Sequence, residues 1–291
     1  MAVRVPVSDL SCVITMLSGH LPDSMAVYSP VVLVSRGLSG YDVFVDRLST
    51  ITAVLVIPDH VASHSSDHEK SVFIFTVPDT DIQSLLNTSG LLKHDHITFN
   101  VVWKETYDKV RDILSQRGVS PYTEVLSSGS DVYYTENVPD VPTLPDGFST
   151  RSLVPTDYEL IISGVEYRNA NYVKSVKRIL AVGTVSVGVE EVKSGELVAW
   201  SLQQIYGYLG MTFVRPEFRN KGLGKYVTAS LARQMIDNNG FCMAAIGGLN
   251  SISINMHIKL GFKQMNRLFY SGLFRAKQST SYATAAIMSC S

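Results

Sequence analysis

The chain has 291 residues, of which 45% are hydrophobic and 18% charged, and its formal net charge is -1. This length suffices for one large domain or two modest ones, and the balanced charge does not favour nucleic acid as a partner. Cys12, Cys242 and Cys290 are too few and too scattered for a disulfide framework, and they form no C-x-x-C pair, so we expect a reducing compartment. Since no apolar run approaches the ~20 residues that cross a bilayer, we expect a soluble protein without a membrane span.

The first 130 residues alternate short β-branched runs with segments of helical spacing. This alternation predicts an α/β or α+β unit. The candidate strands are 29–35, 41–46, 52–57, 71–77 and 97–103, and the candidate helices are 9–19, 79–92 and 105–117.

A proline-rich segment, 135–147, then reads T-E-N-V-P-D-V-P-T-L-P-D-G. Three prolines remove backbone donors and fix φ, so neither a helix nor a central strand is expected there, and we place a domain linker in it. The second half predicts strands at 148–153, 184–191, 196–203, 208–214, 241–246 and 267–274, and helices at 157–168, 172–180, 223–238 and 251–259. Trp200 is assigned to the core, and the Ser-, Thr- and Ala-rich tail from Ala276 is expected to be loosely ordered.

The sharpest local signal is the run Arg219-Asn220-Lys221-Gly222-Leu223-Gly224, which follows a predicted strand and opens a predicted helix. Glycines in such a turn let consecutive backbone N–H groups converge on an anion at the positive end of the helix dipole. A pyrophosphate would fit this turn. Two glycines that merely allow tight strand-to-helix packing are the structural alternative.

The run R-N-K-G-L-G resembles the R/Q-x-x-G-x-G/A signature of the GNAT acyltransferase superfamily. Asn250-Ser251-Ile252-Ser253, followed by Leu260-Gly261-Phe262, is similar to the N-x-x-A/S helix and L-G-F turn of that superfamily. The resemblance implies acyl-CoA as co-substrate and no prosthetic group. It places the CoA pyrophosphate on Arg219, Asn220, Lys221, Gly222, Leu223, Gly224 and Lys225, and the pantetheine arm along Phe213, Val214, Asn250 and Ser253.

Nearly the whole chain resembles the glycine N-acyltransferases and their paralogues, through L-V-A-W-S-L at 197–202, P-E-F-R-N-K-G-L at 216–223 and the stretch around 24–28. This resemblance implies tandem GNAT-like domains, each a mixed, mostly antiparallel sheet flanked by helices. The expected boundaries are a degenerate domain at 1–134, the linker at 135–147, a catalytic domain at 148–275 and the tail at 276–291. A mitochondrial location is implied by the family alone, with a cytoplasmic one as the alternative.

The catalytic candidates are Tyr208 and His257. The family carries a proposed glutamate base directly after the glycine that corresponds to Gly207, and this chain has Tyr208 there. A phenol with a pKa near ~10 is a poor base at pH 7, so we expect either water acting through another polar group or an enzyme that is slow or altered in substrate. His257 stands where many members have a tyrosine that protonates the leaving thiolate; it is interpreted either as that acid or as a histidine packed beside Leu260.

The leading hypothesis is transfer of an acyl group to the amino group of glycine or a similar small amino acid. The alternatives are N-acetylation of another small amine or a protein, and acyl-CoA binding without turnover. The histidines at 60, 64 and 68 are interpreted as a solvated loop and not as metal ligands. Lys174, Lys177 and Arg178 are interpreted as a solvated helix face, with attraction of an acyl carboxylate or the CoA 3′-phosphate as the other possibility.

Overall fold

The computed structural model describes residues 2–59, 71–89, 91, 96–121, 130–137, 140–164 and 170–276. The strands are β1 Val3–Val5, β2 Tyr41–Val45, β3 Ala53–Pro58, β4 Ser71–Thr76, β5 His96–Trp103, β6 Val119–Pro121, β7 Ser130–Thr135, β8 Phe148–Arg151, β9 Ser186–Glu191, β10 Leu197–Gln203, β11 Leu209–Val214, β12 Cys242–Ile246 and β13 Lys263–Ala276. The α-helices are α1 Leu10–Ser18, α2 Met25–Ser35, α3 Gln83–Thr88, α4 Lys104–Gln116, α5 Tyr158–Ser163, α6 Ala170–Ala181, α7 Leu223–Asn239 and α8 Ser251–Lys259. Short 3-10 helices cover Val7–Asp9, Pro155–Asp157 and Pro216–Phe218.

The two halves of the chain repeat one arrangement of strands and helices. In the first half β2, β3 and β4 are antiparallel, α3 follows, and β5 lies parallel to β4. In the second half β9, β10 and β11 are antiparallel, α7 follows, and β12 lies parallel to β11. A further helix, α4 or α8, comes directly after each parallel pair. The predicted α/β class with tandem, mixed and mostly antiparallel units is therefore confirmed.

The described strands of both halves join in one sheet, whose order is β1-β2-β3-β4-β5-β13-β7-β12-β11-β10-β9-β8, with β6 paired to β13. The last strand of the chain, β13, lies between β5 and β7 and pairs with both. No helix or strand runs through 140–147, as the prolines predict. The boundaries at 134 and 147 stay a prediction, and β7, which ends the first half, pairs with β12 and β13 of the second.

One predicted strand is wrong: the segment 29–35 belongs to helix α2, Met25–Ser35. Eight of the eleven residues of α2 are buried, so its apolar residues are not confined to one face. The continuous apolar run within this segment, residues 30–34, has no period that separates a buried helix from a buried strand. The helix predicted at 79–92 is also shorter, because Asp79 has φ 61° and Asp81 accepts a hydrogen bond from the backbone N–H of Gln83 at the start of α3.

Side chains from both halves share one hydrophobic cluster. Leu10, Val13 and Val31 of the first half pack in the same cluster as Trp200 and Leu202 of the second. The second half is therefore packed directly against the first. None of the described helices is long and apolar enough to span a membrane.

Candidate active site

A slot opens between β11 and β12. These two parallel strands pair at a single position, Leu209 with Ala244, and diverge beyond it. The cavity between them has a volume of about 410 Å³. It is lined by Ile161, Gly164, Trp200, Gln204, Leu209, Gly210, Met211, Thr212, Phe213, Arg219, Ala244, Ala245, Ile246, Gly247, Asn250, Ser253 and His257. We call the end at Leu209 and Ala244 the apex of the slot.

The wall of the slot formed by β11 contains a β-bulge. The register between β10 and β11 shifts between Trp200 and Leu202, and Met211 has φ 53°. The hydroxyl of buried Ser201 lies 3.2 Å from the carbonyl oxygen of Gly210 and 2.8 Å from the Thr212 hydroxyl. A bulge leaves one residue outside the ladder of hydrogen bonds. A backbone N–H at the bulge is therefore a candidate donor toward a ligand in the slot.

The turn between β11 and α7 has the geometry of an anion site. Gly222 is the N-cap residue of α7 with φ 81°, and Asn220 has φ 62°. Apart from its chain neighbours and the backbone of α7, no atom of the described residues lies within 4 Å of the position that a Cβ on Gly222 would take. The first N–H groups of an α-helix have no acceptor within the helix, and the helix dipole adds positive charge there. The turn thus presents donors to open space at the end of β11 away from the apex.

The remaining residues of the predicted pyrophosphate site differ in position. Arg219 lines the slot; its Nε donates to the carbonyl oxygen of Val214 at 3.1 Å, and its guanidinium lies 5.8 Å from the Phe213 ring centre. Leu223 is buried in the core beneath α7, and Lys225 is exposed. The ammonium of Lys221 lies 5.0 Å from the ring centre of Phe218. Val214 packs against a core cluster and is absent from the lining of the slot.

Helix α8 presents three of the predicted residues to the slot: Asn250, Ser253 and His257. The side chain of Asn250 caps the helix, since its Oδ1 accepts the backbone N–H of Ser253 at 3.0 Å. The amide nitrogen of Asn250 is not used by this cap. It is therefore a candidate donor toward a ligand.

His257 is held in one tautomer. Its Nδ1 lies 2.8 Å from the carbonyl oxygen of Ser253, which only accepts, so Nδ1 carries the proton. Nε2 is then the basic nitrogen, and it is buried without a hydrogen-bond partner among the described residues. Burial lowers the pKa of His257, and the hydrogen bond to Ser253 opposes that shift only in part. The imidazole is therefore neutral at pH 7.

Tyr208 does not line the slot. Its side chain is 1% exposed and packs in a cluster with Met25, Val101, Phe241 and Met243. The position predicted to correspond to a catalytic base thus points into the core between the two halves. The structure brings Phe213, Arg219, Asn250, Ser253 and His257 together in the slot, and it leaves Tyr208 outside.

Other lining residues were not found from the sequence. Trp200, assigned to the core alone, is buried and also lines the slot, where its ring lies 4.9 Å from that of Phe213. A Cβ on Gly164 would be 3.0 Å from both rings, so Gly164 closes this wall from the other side. Gln204, which is buried, follows β10 and also faces the slot. No pattern in the sequence marks these positions, because the bulge and the strand divergence decide which side chains face the slot.

Charge in the slot is sparse. Among the described lining residues, the titratable ones are Arg219 and His257, and neither an aspartate nor a glutamate is among them. A carboxylate base in direct contact with the slot is therefore absent from the described part of its lining.

Two groups of residues are expected from the sequence to be solvated: three histidines of the first half and three basic residues of the second. Residues 60, 64 and 68 lie outside the described residues. Arg178 is not on a solvated face, so that interpretation is wrong for it: its guanidinium lies 4.9 Å from the Tyr41 ring centre, and Nη1 and Nη2 are buried. Lys177 is exposed with its ammonium 5.8 Å from the Tyr158 ring centre, and the Lys174 side chain lies outside the described part.

Comparisons with known proteins agree with this geometry. Residues 186–270 match the model of the family described as FR47-like protein. No curated protein sequence matches the chain. A solved Drosophila protein is 15% identical, covers 94% of this chain and 98% of its own length, and gives a TM-score of 0.67.

Two further solved structures indicate the class of fold. A tandem GNAT protein from the clavulanic acid biosynthesis pathway, solved without AcCoA, is 14% identical, covers 96% of this chain and 99% of its own, and has a TM-score of 0.56. A putative acetyltransferase from Pyrococcus horikoshii is 11% identical, covers 95% and 89%, and has a TM-score of 0.55. The chain therefore has the fold of tandem GNAT proteins, with the slot in its second repeat.

Proposed function

We propose that the protein transfers an acyl group from acyl-CoA to the amino group of glycine or a similar small amino acid, releasing CoA. The observation that carries this proposal is the slot between β11 and β12, which ends at an anion-binding turn and has a bulged strand as its wall. The GNAT fold and the FR47-like match support the acyltransferase class. The resemblance to glycine N-acyltransferases supports the amino acid acceptor.

The cofactor would lie along β11. The N–H groups at the start of α7, together with Arg219, would hold the pyrophosphate, because they combine backbone donors with positive charge. The pantetheine amides would pair with the free edge of β11 near Phe213, as a peptide adds to a sheet edge. The free amide nitrogen of Asn250 would hydrogen-bond the same arm from the opposite wall. The thioester would then reach toward the bulge at Met211.

The reaction needs little beyond this arrangement. A neutral amine attacks the thioester carbonyl, a tetrahedral oxyanion forms, and its collapse breaks the C–S bond and releases the CoA thiolate. A backbone N–H at the bulge would stabilise the oxyanion, and such a fixed donor contributes about 3–4 kcal/mol in other acyl-transfer enzymes. Holding the amine beside the thioester supplies the rest of the rate enhancement that we invoke.

We assign the proton transfer to the thiolate to His257 and no step to Tyr208. The resting imidazole is neutral with its proton on Nδ1, so it must first gain a proton at Nε2 before it acts as an acid. The source of that proton is the acceptor nitrogen itself: after the amine has attacked, this nitrogen is positively charged and gives one proton to Nε2, which passes it to the departing thiolate. Tyr208 is buried in a core cluster away from the slot lining.

A second candidate function is acyl-CoA binding without turnover. It is favoured by one observation: neither aspartate nor glutamate is found in the described lining of the slot. The two functions share the cofactor site and differ only in whether an amine consumes the thioester.

The experiment is CoA release by the purified protein with acetyl-, benzoyl- and long-chain acyl-CoA, each with and without glycine. We expect release that depends on glycine and ranks the three donors. Tight acyl-CoA binding without release, across glycine and a broad panel of amines, would contradict the transferase and support the binding protein.

A further inference from the structure

Gln204 lies at the apex of the slot, at the opposite end of β11 from the pyrophosphate turn. It follows β10, its side chain lines the slot, and the residue is only 8% exposed. Its amide rests on the backbone of Gly210: the ideal Cβ position of Gly210 is 1.8 Å from Nε2 of Gln204. Gly210 adjoins Leu209, the residue at which β11 still pairs with β12. The Gln204 amide can occupy this position because residue 210 is a glycine.

The orientation of the Gln204 amide is fixed by its neighbours. The Tyr206 hydroxyl donates to Oε1 of Gln204. The backbone N–H of Gln204 donates to the carbonyl oxygen of Tyr208, and the N–H of Gly207 donates to the carbonyl oxygen of Gln204, both at 2.8 Å. The two backbone bonds hold the turn, and the amide oxygen of Gln204 is occupied by the Tyr206 hydroxyl. The two N–H donors on Nε2 make no hydrogen bond to the described residues, although the side chain is largely buried.

A pair of fixed donors at this point selects for an acceptor atom on the ligand. The cofactor's charged groups belong at the other end, near Arg219 and Gly222, so the apex is left to the acyl group and the attacking amine. The described lining has no aspartate or glutamate to bind a cationic group and no lysine to bind an anionic one. A ligand carboxylate would accept hydrogen bonds from both donors of Gln204, and its charge would strengthen them, whereas an uncharged amide offers one neutral carbonyl oxygen and an ammonium group offers no acceptor.

We infer that Gln204 binds the carboxylate of the acceptor and so restricts the acceptors to small amines that carry one. This inference rests on the proposed acyl transfer and deepens it by naming the chemical group that the apex recognises. Gln204 is a specificity-determining residue in this scheme, and the chemistry at the thioester proceeds without it. Gly210 and Tyr206 position its amide.

The test compares acceptors in three proteins: the wild type, Gln204→Met and the matched control Gln203→Met. Methionine keeps the length of the side chain and removes the donors. Gln203 is the adjacent residue, and its Nε2 donates to the carbonyl oxygen of Gly207 at 3.3 Å without lining the slot. The quantity measured is the ratio of kcat/KM for glycine to kcat/KM for glycinamide, because a ratio within one protein cancels changes in the cofactor site.

We expect the wild type and Gln203→Met to prefer glycine, and Gln204→Met to lose roughly 10- to 100-fold of that preference through a higher KM for glycine. The Kd for acyl-CoA should not change. An unaltered ratio in Gln204→Met overturns the inference. A loss confined to kcat, equal for both acceptors, also overturns it, because the amide would then act on the oxyanion and not on the carboxylate.

A binding measurement separates failure of this inference from failure of the proposed transfer. With CoA present, the side-chain amide signal of Gln204 in a ¹⁵N spectrum, assigned by its loss in Gln204→Met, is titrated with N-acetylglycine and with N-acetylglycinamide. A shift with the carboxylate ligand alone supports the inference even if no amine is acylated. Equal shifts, or none with either ligand, overturn it whether or not turnover occurs.

Discussion

His257 combines a fixed tautomer with a buried basic nitrogen that has no partner in the described part of the chain, and this gives stability a specific pH dependence. Burial lowers the pKa of His257 in the folded protein. On acidification the histidine is therefore protonated near pH ~6.5 in the unfolded chain, but only at a lower pH in the folded protein. Stability is therefore fully present above pH ~6.5 and falls as the pH drops below it, by at most about 1.4 kcal/mol per pH unit for this group.

The variant His257→Gln should lose that part of the pH dependence. The measurement is urea unfolding of both proteins at pH 7.5 and pH 5.5. We expect the wild type to lose more stability than the variant on acidification, since the other histidines titrate alike in both. An equal loss in the two proteins would show that His257 is not neutral in the folded state.

A substitution at Gly222 tests whether the CoA pyrophosphate binds at the N-terminus of α7. In Gly222→Asp the new carboxylate would stand in open space beside the N-terminus of α7, where the pyrophosphate is proposed to bind. Like-charge repulsion and the lost space should raise the Kd for CoA at least roughly tenfold. Calorimetric titration with CoA measures this directly.

The control for that substitution is Gly240→Asp at the other end of the same helix. Gly240 has φ 82°, and none of the described residues beyond its chain neighbours comes within 4 Å of its Cβ position. A substitution there therefore carries the same backbone strain, about 1 kcal/mol, without the cofactor site. The Kd for CoA should stay at the wild-type value in this protein. If both variants bind CoA equally well, the pyrophosphate does not lie at this turn.

At the scale of elements, we expect the bulge in β11 to affect the rate of acyl transfer and not the affinity for acyl-CoA. Ser201 holds it through contacts to Gly210 and Thr212. Ser201→Ala should let the bulge relax and lower kcat about tenfold or more, while the Kd for acyl-CoA stays unchanged, because the cofactor is held elsewhere. Ser186→Ala is the control: this buried serine on β9 accepts the backbone N–H of Leu153 at 3.0 Å and does not touch the bulge. Equal kcat in both variants would show that the bulge does not contribute to the rate of acyl transfer.

Elements of this fold differ in how far their sequences define them. The turn at 219–224 and helix α8 are predictable because their glycines and the capping Asn250 act locally. Helix α2 is not, since burial on nearly every side removes the period that identifies a helix. The site is divided in the same way. His257 and Arg219 belong to local motifs, whereas the facing of Gln204 into the slot and of Tyr208 into the core depends on strand divergence and on packing against the other half.

At the scale of the whole molecule, the two halves should unfold together. They share a sheet, in which β13 pairs with β5, and a hydrophobic cluster. Gly207, which has φ 84°, lies against α2 of the first half: a Cβ there would come within 2.5 Å of the Met25 methyl carbon. Gly207→Ala should therefore destabilise both halves by about 1–3 kcal/mol.

The halves are observed separately through their single tryptophans, with Trp200 retained in Trp103→Phe and Trp103 retained in Trp200→Phe. We expect each probe to give the same denaturation midpoint, and Gly207→Ala to lower both midpoints equally. The matched control is Gly195→Ala. Gly195 has φ 69°, and no described residue other than its chain neighbours lies within 4 Å of its Cβ position, so this substitution adds strain without the contact. Separate midpoints would mean that the repeats fold as independent units.

The measurement that tests the central claim most directly is the stoichiometry of products from ¹⁵N-glycine and acyl-CoA, with N-acylglycine determined by mass spectrometry and free CoA by thiol titration. The account predicts one ¹⁵N-labelled N-acylglycine for each CoA released in the wild type, and less of both products in Gly222→Asp when acyl-CoA is supplied near the wild-type KM, because the raised Kd then leaves more of the variant without substrate. Release of CoA without labelled N-acylglycine, or no release at all, would contradict it.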